Sequence, residues 1–157
     1  MRICLYQPDI PQNTGTILRT AACLQMAVDI IEPCGFVLSD RRMRRAGMDY
    51  LDFVSYARHR SWQAYQDSPQ WRAGRPVLLT TKGATSLQDF AFTADDILIL
   101  GRESAGVPDD VHAMCPHRVF IPVDPRTRSL NVAIAGAMVA AEALRQCDLF
   151  PSAAPAP

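Results

Sequence analysis

Ser129 and Asn131 stand two positions apart, directly after the charged turn Val123-Asp124-Pro125-Arg126-Thr127-Arg128. A short apolar strand over residues 118–121 precedes that turn, and a helix over residues 129–146 follows it. A hydroxyl and a carboxamide therefore sit at a helix mouth, where free N–H groups and the helix dipole favour an electron-rich ligand. Glu103 stands between Gly101 and Gly106 at the end of the apolar run 97–100. It either serves a site or fixes its loop by accepting backbone N–H bonds. Arg19 projects from the first helix, after Asn13-Thr14-Gly15. Taken singly it is an exposed helix arginine, as Ser129 is a helix cap and Asn131 a first-turn residue.

The usual cofactor signatures are absent. No Gly-x-Gly occurs and no GxxxxGK[ST], so neither a dinucleotide fingerprint nor a P-loop is present. The histidines His59, His112 and His117 are scattered. Cys115-Pro116-His117 reads as a turn with a small buried thiol rather than half a metal site, and no metal is expected. Asp95-Asp96 and Asp109-Asp110 read as helix caps or solvent-facing pairs, which disfavours paired-carboxylate hydrolysis.

The elements around these residues alternate. Strands are expected at 3–6, 28–31, 52–56, 77–81, 97–100 and 119–121. Helices are expected at 14–26 with Asn13 as N-cap, at 39–46, from 62 to near Pro69, at 108–114 and at 129–146. This alternation argues an α/β domain with a mainly parallel sheet and flanking helices. The runs at 77–81 and 97–100 are apolar throughout, as expected for strands covered on both faces. In such sheets ligands sit beyond the carboxyl ends of the strands. That singles out the loops at Thr80-Thr81-Lys82-Gly83, at 101–106 and at 122–129.

The chain has 157 residues, 48% of them hydrophobic, and fits one domain over 1–150 with a disordered Pro/Ala tail at 151–157. No apolar run reaches transmembrane length, and the first residues read as a buried strand rather than a leader. The five cysteines, Cys4, Cys23, Cys34, Cys115 and Cys147, are odd in number and form no CxxC pair, so a reduced cytoplasm is expected. Net charge is zero, and Lys82 is the sole lysine. The cluster Arg41-Arg42-Met43-Arg44-Arg45, with Arg126 and Arg128, is either a solvated face or a phosphate-binding surface.

Three blocks together resemble the SpoU-type branch of the SPOUT RNA methyltransferases. They are Asn13-Thr14-Gly15-Thr16-Ile17-Leu18-Arg19-Thr20-Ala21, Leu98-Ile99-Leu100-Gly101-Arg102-Glu103-Ser104-Ala105-Gly106-Val107-Pro108, and the stretch from Ile121-Pro122 to Ser129-Leu130-Asn131-Val132-Ala133. Tyr6-Gln7-Pro8-Asp9-Ile10-Pro11-Gln12, Ile31-Glu32-Pro33-Cys34-Gly35-Phe36, Arg44-Arg45-Ala46-Gly47-Met48-Asp49-Tyr50 and Thr80-Thr81-Lys82-Gly83 are similar to its small single-domain tRNA wobble-position 2′-O-methyltransferases.

The resemblance implies a deep trefoil knot at the C-terminal part of the domain and a homodimer with its active site at the interface. It implies methyl transfer from S-adenosylmethionine to the 2′-hydroxyl of nucleotide 34, cytidine or uridine, in the anticodon loop of tRNA. By carry-over, Leu79, Gly101, Glu103, Ile121, Ser129 and Leu130 bind the cofactor, while Arg19, Ser129 and Asn131 are catalytic. RNA contacts fall to Arg19, Arg41, Arg42, Arg44, Arg45, Arg126 and Arg128. The alternatives are a SpoU-type enzyme acting on another tRNA or rRNA nucleotide, or a non-catalytic RNA-binding dimer of the same fold.

Overall fold

The computed structural model describes residues 1–38, 50, 52–82 and 85–152. Among them, strands β1 (Arg2–Tyr6), β2 (Ala27–Ile31), β3 (Tyr56–His59), β4 (Arg75–Leu79), β5 (Thr85–Ser86), β6 (Asp96–Leu100) and β7 (His117–Phe120) form one seven-stranded sheet. Its order is β3-β2-β1-β6-β4-β7-β5, and each of its pairings is parallel. The helices are α1 (Pro11–Cys23), α2 (Trp62–Gln66), α3 (Pro69–Arg72), α4 (Asp109–Ala113) and α5 (Val132–Cys147).

Successive side chains of a strand point to opposite faces, so an all-apolar strand feeds two cores. Ile3 and Leu5 of β1, Leu98 and Leu100 of β6 and Val77 of β4 join one cluster, closed by Ile17, Leu18 and Ala21 of α1 and Val139, Ala140 and Leu144 of α5. Cys4 and Tyr6, Ile97 and Ile99, and Leu78 join the other, closed by Tyr65 of α2 and Val111 of α4. The expected parallel sheet with flanking helices is thus present.

Two carboxylates lie inside this framework. Asp29 is fully buried and accepts from Arg2 Nε at 2.5 Å and the Tyr65 hydroxyl at 3.1 Å, and it meets His59 Nε2 at 2.8 Å. Asp96, expected at a cap or in solvent, is equally buried and takes a forked pair of bonds from Arg75 at 2.6 and 3.0 Å. In each case the partners that fill the lone pairs offset the cost of taking a carboxylate out of water.

Several element boundaries differ from the sequence expectation. The third strand is Tyr56–His59 rather than 52–56, since Asp52 and Phe53 form a turn closed by Phe53 N–H on the Tyr50 carbonyl. The first helix begins at Pro11, whose fixed φ suits a first helical turn, and Ile10 rather than Asn13 occupies its N-cap. The last helix begins at Val132 rather than Ser129, capped by Asn131. Helix α3, capped by Ser68, and the two-residue β5 have no counterpart in the sequence expectation. The expected helix at 39–46 and the tail from 153 lie outside the described residues.

Candidate active site

The carboxyl ends of β4, β6 and β7 open onto a cavity of about 660 Å³. Leu79 and Thr80 enter it from β4, Gly101, Arg102, Glu103, Ala105 and Gly106 from the loop after β6, and Ile121 from the end of β7. Ser129, Leu130 and Asn131 close it from the chain leading into α5. Every residue expected to bind the cofactor therefore lines this one space, although Leu79 and Ile121 belong to different strands from Gly101.

Two glycines shape the β6 loop. A methyl group on Gly101 would stand 2.7 Å from the Gly106 carbonyl carbon, closer than any Cβ tolerates. Gly106 itself takes φ +66°, which an L side chain rarely adopts. Reciprocal backbone bonds between Arg102 and Gly106, at 2.9 and 2.8 Å, pin the loop into a tight hairpin.

Glu103 reaches away from that hairpin towards α1. Its Oε2 accepts the Asp9 N–H at 2.8 Å, and its Oε1 accepts from Asn13 Nδ2 at 3.0 Å. Asn13 Oδ1 in turn accepts from Asn131 Nδ2 at 2.9 Å. Asn131 Oδ1 then accepts the Ala133 and Ile134 N–H groups at 2.8 and 3.3 Å, capping α5. A carboxylate only accepts, and a peptide N–H only donates. The two amides between them can consequently point only one way. The chain Glu103–Asn13–Asn131 locks the β6 loop, α1 and α5 into one unit.

This corrects the expectation for the α5 mouth. The side chain of Asn131 satisfies two of the free N–H groups, and Ser129 lies before the helix in exposed, non-helical chain. Asn131 orients the site through Asn13 as well as facing the cavity. Glu103 fixes the loop by accepting a backbone N–H, one of the two roles left open by the sequence, and it also lines the cavity. Asp9 adds a second tie, accepting from the Ser104 hydroxyl and from the Ser104 N–H at 3.1 Å. Those bonds, the hydroxyl first, hold the Asp9 carboxyl below its ordinary pKa.

Arg19 does not line the cavity. It is exposed on α1, with its guanidinium 4.6 Å from the centre of the Tyr50 ring and Nη2 bonded to the Tyr50 hydroxyl at 3.3 Å. A cation–π contact of this kind restrains the side chain while leaving its donors for a ligand. Arg126 is exposed, and Asp124 two residues earlier engages it through the Nε bonds at 2.9 and 3.1 Å. That pairing holds Asp124 below its ordinary pKa. Arg128 is exposed, and Arg41, Arg42, Arg44 and Arg45 lie outside the described residues.

Sequence reasoning missed Asp9, Ser104, Tyr50 and the bridging role of Asn13. Asparagine commonly caps helices, and a local reading places Asn13 there. Its real partners lie 90 and 118 residues away, which no local pattern records. Among the described residues no group of three or more His, Cys, Asp or Glu side chains could hold a metal ion. No helix among them is long and apolar enough to cross a membrane.

The chain is 55% identical over 155 residues to the tRNA (cytidine(34)-2′-O)-methyltransferase of Beijerinckia indica subsp. indica, an alignment covering 99% of this chain and 97% of the relative. A solved structure described as giving structural insights into the 2-OH methylation of C/U34 on tRNA superposes with a TM-score of 0.84 at 40% identity, covering 92% of this chain and 94% of that one. The SpoU methyltransferase AviRb from Streptomyces viridochromogenes in complex with the cofactor AdoMet superposes with a TM-score of 0.81 at 27% identity, over 93% of this chain and 60% of that one. The SpoU rRNA Methylase family matches residues 1–141, the span that carries the cavity, the Glu103–Asn13–Asn131 chain and Arg19; the protein belongs to that family.

Proposed function

We propose that this protein transfers a methyl group from S-adenosylmethionine to the 2′-hydroxyl of the wobble nucleotide of tRNA, cytidine or uridine at position 34. The observation that carries the proposal is the convergence of Leu79, Gly101, Ile121, Ser129 and Leu130 on one cavity, with Glu103 and Asn131 locked beside it. The relatives named above for 2′-O-methylation at position 34 of tRNA support the substrate.

The cavity suits the cofactor. Its volume lies within the range of roughly 300–1,000 Å³ that small-molecule sites occupy. Leu79, Ile121, Val123 and Leu130 offer apolar walls for a flat heterocycle. The hairpin at Gly101 offers backbone groups without a side chain in front of them. When bound, S-adenosylmethionine supplies an electrophilic methyl on a sulfonium that departs as a neutral thioether.

The protein's own work is positioning and electrostatics. Arg19 stands at the edge of α1 with its guanidinium restrained by Tyr50. A guanidinium keeps its proton in nearly any protein setting, so it is poorly suited to act as a general base. Arg19 instead binds the neighbouring phosphate and donates to the ribose oxygen as negative charge develops there, while the hydroxyl proton leaves to solvent water. The hydroxyl of Ser129 and the amide of Asn131 orient the ribose at the cavity mouth. Arg128, Arg126 and the arginines at 41, 42, 44 and 45 supply phosphate contacts along the anticodon loop.

The same proposal includes a homodimer with its site at the interface. Ile134, Met138 and Leu130, respectively 52%, 42% and 39% exposed, place an apolar face of α5 and its approach beside the cavity, where a second copy would cover it. It also includes a trefoil knot and a cytoplasmic setting. The close packing of Gly136 on Leu100, where an added Cβ would stand 2.8 Å from Leu100 Cδ1, supports the knot, since a threaded helix must be slim.

The test is transfer of radiolabelled methyl from S-adenosylmethionine to tRNA isolated from cells that lack the protein. Label that makes one internucleotide bond resistant to alkaline cleavage is expected. No label, or label on a base, would overturn the proposal.

A further inference from the structure

The cavity has a wall that the mechanism above does not use. Arg102, from the loop after β6, and His112, from α4, both line it. Arg118 Nη1 lies 3.2 Å from His112 Nδ1. Arginine only donates, so Nδ1 accepts, and the proton of a neutral imidazole therefore sits on Nε2. That Nε2 is buried and has no partner among the described residues. Arg102 Nε is likewise buried without a partner, while its guanidinium rests 5.9 Å from the centre of the Tyr6 ring. Two residues that line one cavity, from separate elements, thus each hold a buried donor with no partner among the described residues. Unmade hydrogen bonds of this kind are costly, and native structures keep few of them without a ligand or water to complete them.

We infer that Arg102 and His112 form a subsite for a carboxylate, the α-carboxylate at the amino-acid end of the cofactor. The inference rests on the proposed use of S-adenosylmethionine. A carboxylate has two oxygens able to accept from two donors at once, and a guanidinium beside it supplies the matching charge. An RNA phosphate is the other anion in the reaction. The two donor atoms are shielded from solvent and their residues line a cavity of small-molecule size, whereas the polymer's phosphates would meet exposed arginines such as Arg19 and Arg128. Arg118 acts behind the subsite as a positioning residue, because its bond to Nδ1 leaves Nε2 as the ring nitrogen that carries a proton to donate.

The test is calorimetric binding of two ligands to the full-length protein. One is S-adenosylhomocysteine; the other is S-adenosyl-3-thiopropylamine, which lacks only the carboxylate. The wild type is expected to prefer the first. In Arg102→Gln and His112→Leu that preference shrinks about 10- to 100-fold, with the decarboxylated ligand bound as before. Unchanged binding of the decarboxylated ligand also shows that the variant pocket is folded. His112→Gln, which restores a donor near the Nε2 position, recovers part of the preference. Equal weakening of both ligands, or no weakening of either, overturns the subsite while the cofactor proposal stands. Loss of tRNA affinity with cofactor affinity intact assigns the donors to a phosphate and overturns it too. A wild type that binds neither ligand overturns the cofactor proposal and the subsite together.

Discussion

Glu103→Gln tests the directional chain of amides from end to end. In the native chain the carboxylate accepts from Asp9 N–H at 2.8 Å and Asn13 Nδ2 at 3.0 Å. A glutamine offers one acceptor and one donor. If its oxygen keeps the Asp9 N–H, its NH₂ meets the NH₂ of Asn13. Turning Asn13 over moves the conflict to Asn131, and turning Asn131 over strips the cap from Ala133 and Ile134. No arrangement satisfies every group. The sites are only partly buried, so water relieves some of the conflict, and the cost is about 1–2 kcal/mol. For a domain of this size that lowers Tm by about 2–8 °C. Asn13→Asp alone sets two carboxylates face to face and is expected to cost a similar amount. Combining the two substitutions restores the pattern. The introduced aspartate accepts from both the introduced glutamine and Asn131, while the glutamine oxygen keeps the Asp9 N–H. Urea unfolding of the four proteins at neutral pH is expected to show a favourable coupling of about 2 kcal/mol. A double variant whose loss equals the sum of the two single losses refutes the directional argument.

Three further outcomes follow from the site. Gly101→Ala forces the hairpin open, because the new methyl would lie 2.7 Å from Gly106, and calorimetry should show S-adenosylhomocysteine binding weakened by about tenfold or more; unaltered affinity contradicts the packing argument. Ser104→Ala removes the hydroxyl that holds the Asp9 carboxyl below its ordinary pKa. A lowered folded pKa stabilises above the unfolded value, about 3.9 for aspartate, and that benefit is lost as pH falls through the folded one. The stability gap between wild type and Ser104→Ala is therefore expected to be constant near neutrality and to close in acid; a gap that widens in acid reverses the sign. Arg19→Ala should abolish transfer while Arg19→Lys keeps a measurable fraction, and initial rates that vanish equally in both would rule out simple charge stabilisation.

Much of the scaffold was legible because burial on both faces forces unbroken apolar runs. β4 and β6 announce themselves in this way, and their carboxyl ends mark the cavity. β3 did not, because an edge strand with half-exposed residues such as Arg58 carries no such pattern. The buried Asp29 and Asp96 were invisible for another reason. Their charges are tolerable only beside Arg2 and Arg75, partners 27 and 21 residues away, and pairing at that separation leaves no local trace. Asn13 and Asn131 looked like two ordinary helix-terminal amides. Only folding shows that one caps α5 while the other completes its orientation. The family blocks led to loops that line one cavity, yet Arg102 stood within one of them unremarked, and the inference drawn from it depends on His112 and Arg118 from α4 and β7.

The most direct measurement of the central claim is the position of the methyl group. Purified protein, S-adenosylmethionine and unmodified tRNA are incubated, the RNA is cut with a sequence-specific nuclease, and the fragments are mapped by tandem mass spectrometry. The account predicts a single added methyl on the ribose of nucleotide 34. A methyl on a base, on a ribose outside the anticodon loop, or on ribosomal RNA in preference to tRNA would contradict it.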